Sequence, residues 1–170
     1  ILPLGFNDAL QKMGEAGWLG VSASPDFGGQ GLPEIYATAI FETWNSANMA
    51  FGLGPMLTFG AALAIKLHGD DEQKACYLEQ MYSGKWAGTM NLTESAAGSD
   101  LGMLKTRAIP EGKYYRIIGQ KVYITWGDHE ATENIIHLVL ARLPQAPEGS
   151  RGISLFIVPK FLKDDRGDYT

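Results

Sequence analysis

The sequence predicts an α+β protein, with an N-terminal cluster of antiparallel helices followed by an antiparallel β-barrel or sandwich. Apolar residues recur at spacings of three and four through residues 7–84, as on the buried face of a helix. Beyond that, short runs rich in β-branched and aromatic residues alternate with turn signals, and no helical pattern lies between them. We therefore expect a helical domain at residues 1–86 and a β domain at residues 87–170.

Four helices are expected in the first domain. Asn7 or Asp8 can cap the first of them, which ends near residues 14–17. A loop punctuated by glycine and proline then covers residues 22–33. The second helix starts at Glu34, and its apolar positions form one wide buried face.

The other two helices are marked by their ends. Pro55 suits the first turn of the third helix, because proline lacks the N–H that this turn leaves unpaired, and His68 and Gly69 end that helix. Asp70 can cap the fourth helix, with Gln73 three residues later, close to a capping box. The short connections indicate that the helices pack antiparallel.

Six strands are expected in the second domain. Gly119 and Gln120 lie between two of them and suit a two-residue hairpin turn. The absence of crossover helices favours antiparallel pairing. The strands are predicted at residues 86–92, 105–109, 114–118, 121–125, 135–142 and 152–158.

Composition narrows the functional classes. The 170 residues are 45% hydrophobic and 19% charged, as in a folded globular protein. A net charge of −5 without a Lys/Arg-rich run argues against a nucleic-acid partner. The single cysteine, Cys76, excludes an intramolecular disulfide and a cysteine-based metal site, and it fits a reducing compartment. We therefore expect a cytoplasmic protein, or one of the mitochondrial matrix in a eukaryote.

The chain carries no obvious membrane or export signal. No uninterrupted apolar run approaches the ~20 residues of a membrane helix. The N-terminus lacks both a start Met and a charged region, so it does not resemble a signal peptide. The missing Met, and an end at Asp168–Thr170 that coincides with no element, lead us to expect a piece of a longer polypeptide.

Two segments carry the chemistry. The first segment, Met90–Asp100, combines a hydroxyl at Thr93, a run of small residues and a second hydroxyl at Ser99. Small residues let backbone N–H groups approach a flat or phosphorylated ligand closely. The second segment, Tyr123–Gly127, adds an aromatic ring and a third hydroxyl at Thr125. Together they predict a wall that holds a large planar cofactor.

These segments resemble the flavin-binding motifs of the acyl-CoA dehydrogenase family. Those motifs usually read threonine-glutamate-proline-glycine/alanine-glycine-serine-aspartate and tryptophan-isoleucine-threonine-asparagine-glycine. The resemblance continues at Pro25–Gly31, Gly69–Lys74 and Gly152–Pro159, so it covers nearly the whole chain in the family's order.

The resemblance implies FAD as cofactor. It implies that Thr93 hydrogen-bonds the pyrimidine edge of the flavin and that Thr125 lies near flavin N5. Ser99 would contact both the FAD pyrophosphate region and the acyl-CoA substrate, and Tyr123 would pack against the flavin in place of the usual tryptophan. The other implied cofactor-binding residues are Met90, Leu92, Gly98 and Ile124.

Three positions depart from the family pattern. Ser95 replaces the usual proline, which leaves the loop less rigid, and Met90 replaces a common aromatic residue. Trp126 replaces the usual asparagine or serine, which could alter the flavin edge. No hydroxyl is lost, so FAD binding remains the favoured interpretation.

The implied activity is desaturation of an acyl-CoA thioester at Cα–Cβ to a 2-enoyl-CoA. Electrons would pass from the flavin to an electron-transfer flavoprotein, and the complete protein would be a homo-oligomer. In the family the catalytic base lies in a C-terminal helical domain, which these 170 residues do not include. We therefore predict no catalytic residue here, and expect this portion alone to be inactive and to bind FAD poorly. Asp128 and His129, together with residues 133–142, resemble the larger branch of the family, which includes 3-methylmercaptopropionyl-CoA dehydrogenases.

Alternatives remain open. An acyl-CoA oxidase or monooxygenase on the same scaffold would share the flavin contacts, and a non-catalytic binding module would keep only the fold. A serine hydrolase is disfavoured because Gly-x-Ser-x-Gly is absent. The histidines at 68, 129 and 137 have no metal-ligand spacing to each other or to Cys76, so no metal is expected. Of these, His129 follows the second segment most closely.

Overall fold

The computed structural model describes residues 2–162. It confirms the α+β class, with helices in the first half and a five-stranded sheet in the second. The expectation about the chain end at Asp168–Thr170 lies outside the described residues. The main elements are α1 (Phe6–Glu15), α2 (Glu34–His68), α3 (Asp71–Tyr82), β1 (Trp86–Asn91), β2 (Arg107–Glu111), β3 (Tyr114–Ile118), β4 (Asn134–Arg142) and β5 (Ile153–Pro159).

Helix α1 starts earlier than the sequence suggests. Its N-cap is Gly5, whose φ of 90° lies in the left-handed region, and no side chain caps the helix. The prediction of Asn7 or Asp8 as the cap is therefore wrong. Asp8 lies inside the first turn instead, where its carboxylate bonds Lys12 one turn later at 2.9 Å.

Helix α2 contains the predicted break, but at a different residue. Asn48 leaves the helical conformation, with φ −159° and ψ 98°. Its side-chain oxygen accepts the backbone N–H of Phe51 at 3.1 Å, so Asn48 caps the helix that resumes after it. Pro55 lies further on, inside the resumed helix, and the prediction that it marks the first turn is wrong.

Helix α3 begins as predicted. Asp70 accepts the backbone N–H of Gln73 at 2.8 Å, and the Gln73 side chain accepts the backbone N–H of Asp70 at 3.0 Å. This reciprocal pair is the capping box. At the other end, Met81 and Tyr82 are buried, and β1 begins four residues beyond Tyr82.

The sheet is mixed, which the predicted antiparallel arrangement did not include. Strand β4 is central: β1 pairs with it in parallel and β5 antiparallel. Strand β2 meets β4 in parallel at Arg107 and Arg142, and forms an antiparallel hairpin with β3. The long connection between β1 and β4 permits parallel pairing without a crossover helix of its own. Within residues 2–162 the sheet does not close into a barrel.

The predicted strand at residues 121–125 does not form. Tyr123 and Trp126 have φ of 58° and 52°, which is incompatible with an extended strand. The hairpin predicted at Gly119 and Gln120 is therefore wrong as well. The observed hairpin joins β2 to β3 through Gly112, whose φ of 64° suits the turn.

Helix α2 packs directly on β1. The Thr58 hydroxyl of α2 accepts the backbone N–H of Gly88 in β1 at 3.0 Å. A Cβ at Gly88 would lie 2.6 Å from the Ala61 Cβ, so only glycine permits this approach. The surrounding core consists of Ala23, Ala61, Ala62, Ile65, Leu78, Met81, Tyr82, Trp86, Ile136 and Leu138. This packing fixes the direction of β1, and thus the place where the first segment leaves the sheet.

Among the described residues, α2 is long and apolar enough to cross a membrane by length and composition alone. Core helices of globular proteins satisfy the same criterion, and here Ala61, Ala62 and Ile65 of α2 lie in the core. The length and composition of α2 are therefore weak grounds for a membrane span.

Replacing Gly88 should destabilise the fold. In Gly88→Ala the new Cβ would also lie 2.7 Å from the Met81 side chain, so α2 and β1 must separate. We expect a loss of about 1–3 kcal/mol in the free energy of unfolding, measured by urea denaturation. Gly60→Ala is the matched control on α2, because its Cβ meets nothing within 4 Å. A Gly88→Ala variant as stable as Gly60→Ala would contradict this packing.

Candidate cofactor site

The first segment leaves the sheet at the end of β1 and folds into a tight turn. Glu94 and Ala97 exchange backbone hydrogen bonds of 2.9 and 3.1 Å across this turn. Gly98 and Ser99 follow in a bend, and the Asp100 side chain then accepts the backbone N–H of Gly102 at 2.9 Å. Thr93 and Ser99 therefore lie on either side of an ordered turn.

The second segment lies against the first. The backbone N–H of Val122 donates to the Thr93 carbonyl at 3.0 Å. The Thr89 hydroxyl, buried in β1, donates to the Thr125 carbonyl at 2.8 Å. Because Thr93 meets Val122 while Thr89 meets Thr125, the two stretches run in opposite directions side by side. The structure thus brings together the two segments that the sequence singled out.

The predicted cofactor-binding residues form a largely accessible surface at this end of β1. Leu92, Thr93 and Ile124 are half-buried. Tyr123 is 92% exposed, and its ring is free to cover a ligand. The other exposed members of the set are Met90, Gly98, Ser99 and Thr125.

The unpaired hydroxyl groups of Thr93 and Thr125 distinguish these residues from the other described threonines. Of the eight threonines within residues 2–162, six use their hydroxyl in an internal hydrogen bond: Thr38, Thr43, Thr58, Thr89, Thr106 and Thr132. In the same described range, the hydroxyls of Thr93 and Thr125 have no such partner, and neither does that of Ser99. The three hydroxyls predicted to face a cofactor are therefore available to one, and the residues present fit a flavin.

Trp126 points away from this surface and into the helical region. Its indole N–H donates to the Ala50 carbonyl at 3.0 Å, just beyond the break in α2. Its ring stacks on Phe6 at 6.1 Å with an interplanar angle of 8°. A Cβ at Gly54 would lie 2.7 Å from the indole, so glycine makes room for it. Trp126, which departs from the family pattern, thus anchors the second segment to α1 and α2.

Comparison with known proteins agrees with these features. The family model for the acyl-CoA dehydrogenase N-terminal domain matches residues 3–85. The model for the middle domain of the same family matches residues 89–167. The chain belongs to the acyl-CoA dehydrogenase family. The resemblance seen in the two segments is therefore confirmed.

Individual relatives support the family assignment. The chain is 48% identical over 169 residues to a 3-methylmercaptopropionyl-CoA dehydrogenase of Ruegeria pomeroyi, covering 99% of this chain and 29% of that protein. This similarity agrees with the family branch that Asp128, His129 and residues 133–142 suggested. The chain spans between 23% and 40% of the length of the curated relatives it matches.

Solved structures share the fold of this chain. An acyl-CoA dehydrogenase from Bacillus anthracis, complexed with FAD, superposes with a TM-score of 0.79 at 28% identity, covering 93% of this chain and 26% of that one. A chain from a study of the electron transferring flavoprotein of Acidaminococcus fermentans superposes with a TM-score of 0.78 at 30% identity, covering 89% and 39%.

Glu94 lies behind the turn of the first segment and is buried. Burial would raise the pKa of its carboxyl, but hydrogen bonds from Thr106, Lys105 and Lys121 together outweigh it and lower the pKa from 4.5 to about 2. A carboxylate held this strongly in its charged form is a poor base. The sequence analysis assigned Glu94 no role. Its position inside the first segment was the only local signal that set it apart.

Two histidines follow the second segment in the chain, His129 in the loop before β4 and His137 within β4. His129 is buried and touches the Trp126 ring at a centroid distance of 5.0 Å, and its Nε2 has no hydrogen-bond partner within residues 2–162. Burial lowers the pKa of the His129 ring, the Lys160 ammonium lowers it further, and Asp128 opposes both. Burial also lowers the pKa of His137, whose Nδ1 accepts the Asn91 amide at 3.0 Å. Both shifts favour the neutral ring, and His129 packs against Trp126.

His68 lies elsewhere, at the C-terminal end of α2. Within the described part of the chain, no three His, Cys, Asp or Glu side chains converge on a point that could hold a metal ion.

Trp126 should be essential for stability, although its neighbour Tyr123 should not. In Trp126→Ala the stacking on Phe6 and the bond to Ala50 are lost and a cavity opens over Gly54, so we expect a loss of about 3–5 kcal/mol in the free energy of unfolding. Tyr123→Ala is the matched control in the same loop, with an expected change of about 0.5 kcal/mol or less. Urea denaturation measures both. Equal losses in the two variants would contradict the anchoring role.

Removing the Glu94 carboxylate should change the acid stability. Because its pKa is lower in the folded state, Glu94 stabilises the fold above pH 4.5, and this contribution, about 3 kcal/mol, is lost as the pH falls towards 2. Glu94→Gln should therefore be less stable at pH 7, and its stability should depend less on pH between 4.5 and 2.

The control for that variant is Glu111→Gln, which removes an exposed carboxylate that pairs with Arg116 at 2.8 Å. Exposed pairs contribute little, so we expect its acid-unfolding curve to follow that of the wild type. Urea denaturation across this pH range measures both variants. If Glu94→Gln and Glu111→Gln gave the same curve, the assigned environment of Glu94 would be wrong.

Proposed function

We propose that this chain forms the flavin-binding wall of an FAD-dependent acyl-CoA dehydrogenase, which converts an acyl-CoA thioester to a 2-enoyl-CoA. The observation that carries the proposal is the set of unpaired hydroxyls at Thr93, Ser99 and Thr125, on two segments that hydrogen bonds bring side by side. Family membership and the FAD in the Bacillus anthracis relative support the same cofactor.

Each residue has a distinct role in this proposal. Thr93 donates to the pyrimidine edge of the flavin, and Thr125 lies near its N5 atom. Tyr123 covers the ring, and Ser99 contacts both the pyrophosphate region and the acyl-CoA. Met90, Leu92, Gly98 and Ile124 complete the surface through contacts and close backbone approach.

FAD supplies the hydride acceptor for the β-hydrogen of the thioester. The contribution of this chain is to hold donors at the ring edge, where negative charge develops upon reduction. The chain also orients the thioester through Ser99. Glu94 is excluded as the base for the α-proton because its bonds lower its pKa to about 2. We place the base for this step in a C-terminal helical domain of the full-length polypeptide, as in the family.

The proposal extends to partners and location. An electron-transfer flavoprotein reoxidises the flavin, a role suggested by the family and by the similarity to a chain in the Acidaminococcus fermentans study. The exposed cofactor surface is covered in a homo-oligomer of the full-length polypeptide. The protein acts in the cytoplasm, or in the mitochondrial matrix of a eukaryote. Residues 1–170 alone bind FAD weakly and are inactive.

The direct test is anaerobic titration of the full-length encoded polypeptide, reconstituted with FAD, with a panel of acyl-CoA thioesters. We expect a thioester substrate to abolish the oxidised flavin absorbance, and the reduced flavin to reoxidise slowly in air. Rapid reoxidation with formation of hydrogen peroxide would instead indicate an acyl-CoA oxidase. A polypeptide that binds no FAD would rule out both.

Single hydroxyl deletions should weaken FAD binding. Thr93→Ala and Thr125→Ala each remove one donor of about 1 kcal/mol, so the FAD dissociation constant should rise about fivefold in each. Thr38→Ala is the control, because its hydroxyl bonds only the Glu34 carbonyl within α2. Flavin fluorescence titration measures all three. FAD affinities indistinguishable from that of Thr38→Ala would contradict the assigned contacts.

A further inference from the structure

Glu94 belongs to the first segment, but its side chain does not reach the cofactor surface. It turns inward, and only 9% of the side chain is exposed. Its carboxylate accepts the backbone N–H groups of Lys105 and Thr106 at 2.8 and 2.9 Å, and the Thr106 hydroxyl as well. The remaining partner is the Lys121 ammonium at 2.9 Å.

Lys121 connects this carboxylate to the loop that carries the second segment. Its ammonium is as buried as Glu94 and also donates to the Leu92 carbonyl at 3.1 Å. The next residue, Val122, bonds the Thr93 carbonyl. The Glu94–Lys121 ion pair therefore links the two segments next to Thr93.

The loop at residues 119–127 needs such a connection. Within the described range it belongs to no strand, so it lacks the repeated ladder bonds that would fix its register. It also contains two non-glycine residues with left-handed backbone, Tyr123 and Trp126. Trp126 holds one end of the loop to α2, and Lys121 holds the other end to the first segment.

A buried ion pair by itself is a poor source of stability, since apolar residues of similar size often stabilise a fold equally well. An ion pair does, however, fix the relative position of two groups through directional hydrogen bonds. Glu94 has this property, because it receives four hydrogen bonds from two separate places in the chain, Lys105–Thr106 and Lys121.

We propose that Glu94 and Lys121 are positioning residues, which hold the two segments in register so that Thr93 and Thr125 reach the same flavin ring. This inference rests on the proposed function. Neither residue touches the cofactor. Their effect on FAD passes through the Leu92 and Thr93 carbonyls and the start of the loop.

The test separates positioning from stability. Glu94→Gln and Lys121→Met each leave one partner behind, so both single variants should be less stable than the wild type. The double variant leaves no unpaired buried ammonium, so its urea midpoint should lie above that of Glu94→Gln. Positioning predicts that its FAD affinity does not recover, because the directional contact is still missing.

The control pair is Glu111 and Arg116, which is exposed and links β2 to β3 away from both segments. Glu111→Gln with Arg116→Met should leave both FAD affinity and stability unchanged. If Glu94→Gln does not accumulate as folded protein, Lys121→Arg serves instead. It keeps the charge but changes the donor geometry, so FAD affinity should fall while the urea midpoint stays near that of the wild type.

All variants are made in the full-length encoded polypeptide and titrated with FAD by fluorescence and visible absorbance. We expect the dissociation constant to rise about tenfold in the single variants and in the double variant, with loss of the resolved shape of the bound-flavin spectrum. A double variant that regains FAD affinity together with stability would overturn the inference. So would single variants that bind FAD as the wild type does. A wild-type protein that binds no FAD would instead overturn the proposed function, and this inference with it.

Discussion

The site depends on one constraint: a loop without strand partners must be held against the end of β1. Three contacts do this near the first segment, from Lys121 to Glu94, from Val122 to Thr93 and from Thr89 to Thr125. Thr89 lies in β1, and Thr93 and Glu94 follow it directly. The packing of α2 on β1 fixes the position of this strand. The loop therefore takes its register from β1, and the Thr125 hydroxyl takes its position from the loop.

The helical region determines where β1 can lie. Gly88 lets α2 approach closely enough for Thr58 to bond the strand backbone. Gly54 leaves room for the Trp126 indole to pack on the same helix. Helix α2 thus contacts both the strand that carries the first segment and the loop that carries the second. This explains how the sheet-borne site depends on the N-terminal helices, and why stability and cofactor geometry must be measured separately.

The sequence was sufficient where a feature is local. The capping box at Asp70 could be predicted because its two bonds join residues three apart. The hydroxyls could be selected because the family motif is a short pattern. The strand at residues 121–125 was wrongly predicted, because alternating polar and apolar residues also occur in loops. What decides between them is the long-range contact of Trp126 with α2. The Glu94–Lys121 pair was missed for the same reason, because the two residues are far apart in the sequence and no local pattern links them.

The central claim is that the two segments form one surface for one flavin. Amide hydrogen exchange on the full-length encoded polypeptide, with and without FAD, tests it most directly. We predict that FAD slows amide exchange in residues 90–99 and in residues 121–127 at the same FAD concentration. Slower exchange in only one of these stretches, or in neither while FAD is bound, would contradict it.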